Sequence, residues 1–95
     1  MLTVAKIKPV VSRLAREYGA ERVFLFGSYA RGDATDESDI DLRIDKGRIR
    51  GIEFGGVHAD LERALGASVD LVPTTSLSQD FLNKARSQEV LLYEA

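Results

Sequence analysis

The sequence predicts an α/β (α+β) domain, a small β-sheet flanked by helices. Three observations carry this. Apolar residues recur at helical spacing before Gly19 and again before Gly66. Short apolar runs of strand length, "RVFLF", "DIDLRI" and "SVDLV", are interleaved with them. The resulting order, α-β-turn-β-α-β-α, is that of a sheet covered by helices. The chain has 95 residues, 44% hydrophobic and 29% charged, which is material for one core. Residues 1–95 therefore read as a single domain.

Each element has its own signal. Val10, Val11, Leu14, Ala15 and Tyr18 define the first helix, and Gly19 stops it. Pro9 fits the first turn, where its missing N–H is harmless, and residues 3–8 can add a turn before it. Arg22 to Phe26 is a strand bounded by Gly27. Gly27 and Ser28 then open a turn of helix through Tyr29 and Ala30. Asp39 to Ile44 alternates strictly, with Ile40, Leu42 and Ile44 on one face and Asp39, Asp41 and Arg43 on the other. Asp45 to Gly56, "DKGRIRGIEFGG", reads as a loop with four glycines. "VHADLERALG" is helical, with Val57, Leu61, Ala64 and Leu65 on one stripe and Gly66 as its stop. Ser68 to Val72 forms a third strand, ended by Pro73. Ser76 or Ser78 caps a last helix to about Ser87, with Phe81, Leu82 and Ala85 as its apolar face. The tail "EVLLYE" fits a helix end or a short edge strand equally.

Composition narrows the function. A net charge of −2 argues against an electrostatic nucleic-acid binder, so no direct nucleic-acid binding is expected. The absence of cysteine excludes disulfides and thiolate metal sites and fits a reducing compartment. No apolar run approaches the ~20 residues that span a bilayer. The start "MLTVAKIKPVV" lacks the pattern of a secretory signal. A cytoplasmic protein without membrane attachment is the expectation.

The acids are the unusual feature. Residues i and i+2 of a strand point the same way, so Asp39 and Asp41 share a face. Aspartate is depleted in strands, and adjacent carboxylates repel. A hard divalent cation removes that penalty, since Mg²⁺ takes oxygen ligands and is held by one or two carboxylates plus substrate phosphates. Asp70 repeats the placement in "SVDLV" and would reach the pair if the strands are neighbours. Three carboxylates suit two ions about 3.5–4 Å apart, a clamp for displacement at phosphorus. A lone D-x-D facing water on an open sheet would be the blander reading. The repetition at Asp70 and the preceding Gly27-Ser28 favour a metal site.

Gly27 and Ser28 follow a strand and open a helical turn, whose free N–H groups suit phosphate. Gly27 permits close backbone approach, and the Ser28 hydroxyl adds a donor. A serine N-cap with no ligand is the common alternative for this pair alone. No G-x-x-x-x-G-K-[ST] occurs, so this is not a Walker A loop.

The joint pattern is more specific. Gly27-Ser28, ten residues, Asp39-x-Asp41 and a later strand aspartate at Asp70 resemble the DNA polymerase beta-like nucleotidyltransferase superfamily. The string "LFGSYARGDATDESDIDL" resembles its smallest branch, the minimal nucleotidyltransferase (MNT) domain. The resemblance runs from "REYGAERVFLFGS" through "LERALGASVDLV" to "LLYEA". It implies a mixed sheet, two Mg²⁺ ions held by Asp39, Asp41 and Asp70, and Gly27 and Ser28 on the triphosphate of ATP. It also implies an antitoxin paired with a HEPN-domain ribonuclease toxin, which it silences by transferring AMP to a toxin tyrosine. The catalytic residues would then be Asp39, Asp41 and Asp70.

Other residues carry weaker signals. Arg31, three residues past Ser28, can reach a phosphate or pair with Asp33 or Asp36. Arg43, Lys46, Arg48 and Arg50 form a basic cluster that meets a nucleotide or a partner, or is simply a solvated loop. His58 has no assigned catalytic role, Asp33, Asp36 and Glu37 solubilise their loop, and Tyr29 and Tyr93 are packing residues. Two other functions stay open: an antitoxin that acts by binding alone, and a small-molecule nucleotidyltransferase. The second lacks residues for an acceptor-binding domain.

Overall fold

A computed structural model describes residues 2–95. Its elements are α1 (Val4–Tyr18), β1 (Arg22–Phe26), α2 (Gly27–Arg31), β2 (Ile40–Asp45), α3 (Glu53–Leu65), β3 (Val69–Pro73), a 3₁₀ turn (Thr74–Ser76), α4 (Gln79–Ala85) and β4 (Val90–Glu94). The four strands form one mixed sheet in the order β3-β2-β1-β4. β1 runs antiparallel to β2 and β4, while β2 and β3 are parallel. The ambiguous tail is thus an edge strand.

The alternation read in β2 divides the sheet into a buried and an open face. Val23 and Leu25 of β1, Ile40, Leu42 and Ile44 of β2, Val69 and Leu71 of β3 and Leu92 of β4 are buried. They form one cluster with Ile7, Val11 and Leu14 of α1 and Val57, Leu61 and Leu65 of α3. The intervening residues make the other face in cross-strand rows. One row is Phe26, Asp41, Asp70, and the next is Phe24, Arg43, Val72. Burial of the apolar face fixes this register, because a one-residue slip would put Asp41 into the core.

Several boundaries differ from the sequence expectation, each for a local reason. α1 begins at Val4, where the Thr3 hydroxyl accepts from the Lys6 N–H. Pro9 is therefore inside the helix rather than in its first turn. α3 begins at Glu53, four residues before Val57, and the Glu53 carboxylate accepts from the Arg50 N–H at 3.1 Å. Gly55 and Gly56 are thus helical, although glycine lowers helix propensity. A Cβ on Gly56 would come to 3.3 Å from the Tyr18 hydroxyl, so the small residue lets α1 and α3 approach closely. Tyr18 donates to Asp60 at 2.5 Å across the same contact. Ala64 is exposed and does not belong to the buried stripe.

α4 is attached differently from the other long helices. None of its residues is buried. The Ser78 hydroxyl caps it by accepting from Phe81 N–H at 3.1 Å. Phe81 meets Phe26 edge to face, with ring centroids 5.5 Å apart. No helix among the described residues is long and apolar enough to cross a membrane.

Candidate active site

Asp41 is the centre of the open face. In register it stands beside Asp70 on β3 and beside Phe26 on β1. The parallel pairing of β2 with β3 brings together two aspartates that are 29 positions apart in sequence. Asp39 approaches from just before β2. Asp41 is half-buried, whereas Asp39 and Asp70 are exposed. Burial raises the Asp41 carboxyl above its ordinary pKa, and the charges of Asp70 and Asp39 raise it further; Arg31 opposes them. Among the described residues, no three histidine, cysteine or acidic side chains are gathered into a single metal-holding group. The aspartates share a neighbourhood without closing around one point.

Phe26 ends β1, so Gly27 emerges beside Asp41. Gly27 has φ +71°, a conformation that favours glycine. A Cβ there would collide with Asp41 Oδ2 and come to 3.1 Å from its Cγ. Gly27 is therefore specified twice, by backbone conformation and by space. Ser28 follows in α2, which is only five residues long. Such a turn contributes free N–H groups and a hydroxyl more than an extended helix dipole.

Arg31 ends α2 and pairs with Asp33 at 3.4 Å, with both side chains largely solvated. It also lines a cavity of about 350 Å³ together with Phe26, Gly27, Phe81, Lys84, Ala85 and Gln88. The sequence reading did not place Phe81, Lys84 and Gln88 beside Gly27, since the contact of α4 with the end of β1 joins residues distant in sequence.

Arg43 corrects the reading of a basic cluster. It is buried, unlike the exposed Arg48 and Arg50. Its guanidinium donates twice to the Glu89 carboxylate, at 2.9 Å each, and to the Thr74 hydroxyl at 3.1 Å. It stacks over the Phe24 ring, 3.8 Å from the centroid. One side chain thereby ties the segment after β3 to the segment after α4. This is a structural clamp, two residues from Asp41 on the same face. His58 is also structural in placement, with Nε2 2.7 Å from the Val69 carbonyl oxygen.

A divalent cation is matched by the chemistry of this donor set, although the side chains as placed do not close around one ion. Carboxylate oxygens are its preferred ligands, and its charge would offset the mutual repulsion felt at Asp41. Asp39, Asp41 and Asp70 are the residues that would hold it.

A mixed sheet with neighbouring aspartates on its open face and a glycine-serine turn at the adjacent strand end defines a phosphoryl-transfer class of protein. The chain belongs to the polymerase beta nucleotidyltransferase family, whose model matches residues 6–95. It is 35% identical over 82 residues to the protein adenylyltransferase MntA of Thermococcus cleftensis, covering 81% of this chain and 83% of that one. It is similar in fold to a crystal structure of a toxin–antitoxin with AMP-PNP, with TM-score 0.77 and 26% identity over 93% of this chain and 73% of the other. A mutant of the toxin–antitoxin MntA-HpeT gives TM-score 0.71 and 28% identity, over all of this chain and 75% of the other. The mixed sheet implied by the sequence resemblance is the one found.

Proposed function

We propose that this protein is an Mg²⁺-dependent adenylyltransferase that moves AMP from ATP to a tyrosine of a HEPN-domain toxin, and so acts as its antitoxin. The observation that carries the reading is the row of Asp41 and Asp70 in register, with Gly27 pressed against Asp41. The related adenylyltransferase MntA and the toxin–antitoxin solved with AMP-PNP, an ATP analogue, support the donor and the class of partner.

In this reading Asp39, Asp41 and Asp70 would hold two Mg²⁺ ions, and Gly27, Ser28 and Arg31 would meet the phosphates. When bound, the ions neutralise phosphate charge and favour in-line displacement. The tyrosine oxygen forms a bond to the α-phosphorus, and the bond from that phosphorus to pyrophosphate breaks. Asp70 receives the hydroxyl proton. Asp41 fixes the site through its packing against Gly27. In this reading the acceptor tyrosine arrives on the surface of the docked toxin.

The second reading is neutralisation by contact alone. It is favoured by the fact that the aspartates are not gathered into one group among the described residues. Co-expression with the partner toxin, followed by mass spectrometry after incubation with ATP and Mg²⁺, separates the two. Mass gains in AMP units on a toxin tyrosine support transfer. An unmodified but neutralised toxin supports contact alone, and labelling of a free small molecule without a partner sinks both.

A further inference from the structure

We infer that the cavity between the end of β1 and α4 seats the purine base of the donor nucleotide, with Phe81 as its stacking surface. This rests on the nucleotidyl-transfer reading above. The cavity holds about 350 Å³, toward the lower end of small-ligand pockets. Phe26, Phe81 and Ala85 give it apolar walls, and Lys84 and Gln88 add polar groups. Gly27 belongs both to this lining and to the wall against Asp41. The cavity therefore lies beside Asp41, with Gly27 between them.

The chemistry of the walls decides which part of the nucleotide enters. A phosphate chain would lose hydration against phenylalanine without recovering it, so it belongs at the polar end. An aromatic base has the opposite requirement. It loses little by leaving water and gains by stacking on an aromatic ring. Phe81 is 37% exposed, and of the exposed large apolar side chains, Ile52, Phe81 and Leu91, it is the one that lines this cavity. Its ring already makes an edge-to-face contact with Phe26, which holds it in place without covering it. Gln88 carries both a donor and acceptor, as the edge of a purine does. Lys84 sets a positive charge in the lining, of the sign that attracts a nucleotide.

The seat can be tested by comparing ATP with tripolyphosphate, which has the phosphates and no base. With Mg²⁺ present throughout, titration calorimetry should show Phe81→Ala weakening ATP by about tenfold while leaving tripolyphosphate unchanged. Phe81→Trp should retain ATP binding, and ATP but not tripolyphosphate should quench its fluorescence. Circular dichroism melts establish that both variants are folded. Unchanged ATP affinity in Phe81→Ala, or equal losses for the two ligands, overturns the proposal. Wild-type protein that binds tripolyphosphate as tightly as ATP also overturns the base seat alone. Wild-type protein that binds neither overturns the nucleotide reading beneath it.

Discussion

Gly27 packs against the Asp41 carboxylate, leaving no room for a methyl group between them. The contact joins the two halves of the sequence motif. The turn after β1 limits where Asp41 can point, and Asp41 requires the residue at the turn to be glycine. Gly27→Ala should therefore act in two ways. Its φ of +71° imposes about 1–2 kcal/mol of backbone strain on alanine, lowering stability in denaturant melts. Displacement of Asp41 should reduce AMP transfer far more than that loss of stability explains. Wild-type activity in a folded Gly27→Ala protein would show that this contact does not shape the site.

Asp41 should also set a pH signature. Its pKa is raised in the folded protein by burial and by the charges of Asp70 and Asp39. Its contribution to stability is then fullest below the unfolded value, near ~3.9, and is lost as pH rises through the folded value. Without metal, Asp41→Asn should be more stable than wild type at neutral pH, and the advantage should vanish toward pH 3. The same variant should abolish transfer. Asp60 runs the other way, since the Tyr18 hydroxyl lowers its pKa. Removing its charge should thus cost stability at neutral pH and progressively less in acid. Urea melts across pH on both variants check the opposed slopes.

The parts of the fold legible in sequence were those governed by short-range pattern. β2 could be read from Ile40, Leu42 and Ile44 because alternation has a period of two and one face is buried. α3's start could not, because it has no capping side chain to announce it and is followed by a Gly-Gly pair that speaks against helix. Arg43 alternated correctly with Asp41, yet its burial depended on Glu89, 46 residues away. A charged residue in a basic stretch gives no local sign that a carboxylate will arrive from the end of another helix. The aspartates stood out individually as misplaced charges. That Asp41 faces Asp70, however, follows from parallel pairing of β2 with β3, which residue pattern alone leaves open and the family resemblance supplies.

The Arg43–Glu89 pair should be strongly coupled. Both side chains are about 10% exposed, and the pair makes two bonds of 2.9 Å. Glu89→Ala would leave the buried guanidinium with Thr74, the Phe24 ring and a long ion pair to Asp45 at 3.8 Å, a loss of about 3 kcal/mol. The double variant Arg43→Met with Glu89→Leu should be considerably milder, because it removes both charges. A double-mutant cycle in denaturant melts measures this, and purely additive losses would show that the two residues do not act together.

Nucleotide binding should stabilise the fold in a way that separates the contributions of Ser28 and the aspartates. A ligand that binds only the folded state adds about 2.7 kcal/mol at a hundredfold excess over its Kd. For a domain of this length that is a rise in Tm of about 10–20 °C. ATP alone should give little of it, because its phosphates meet the carboxylates of Asp39, Asp41 and Asp70 with like charge. ATP with Mg²⁺ should give most of it. Ser28→Ala removes one hydroxyl donor and leaves the carboxylates in place, so it should weaken ATP–Mg²⁺ by about 1–3 kcal/mol while keeping the dependence on metal. Asp41→Asn should instead lose the difference between ATP and ATP–Mg²⁺. Thermal melts of the three proteins with ATP, with Mg²⁺ and with both resolve the roles. A metal dependence that survives Asp41→Asn would move the cation away from this aspartate.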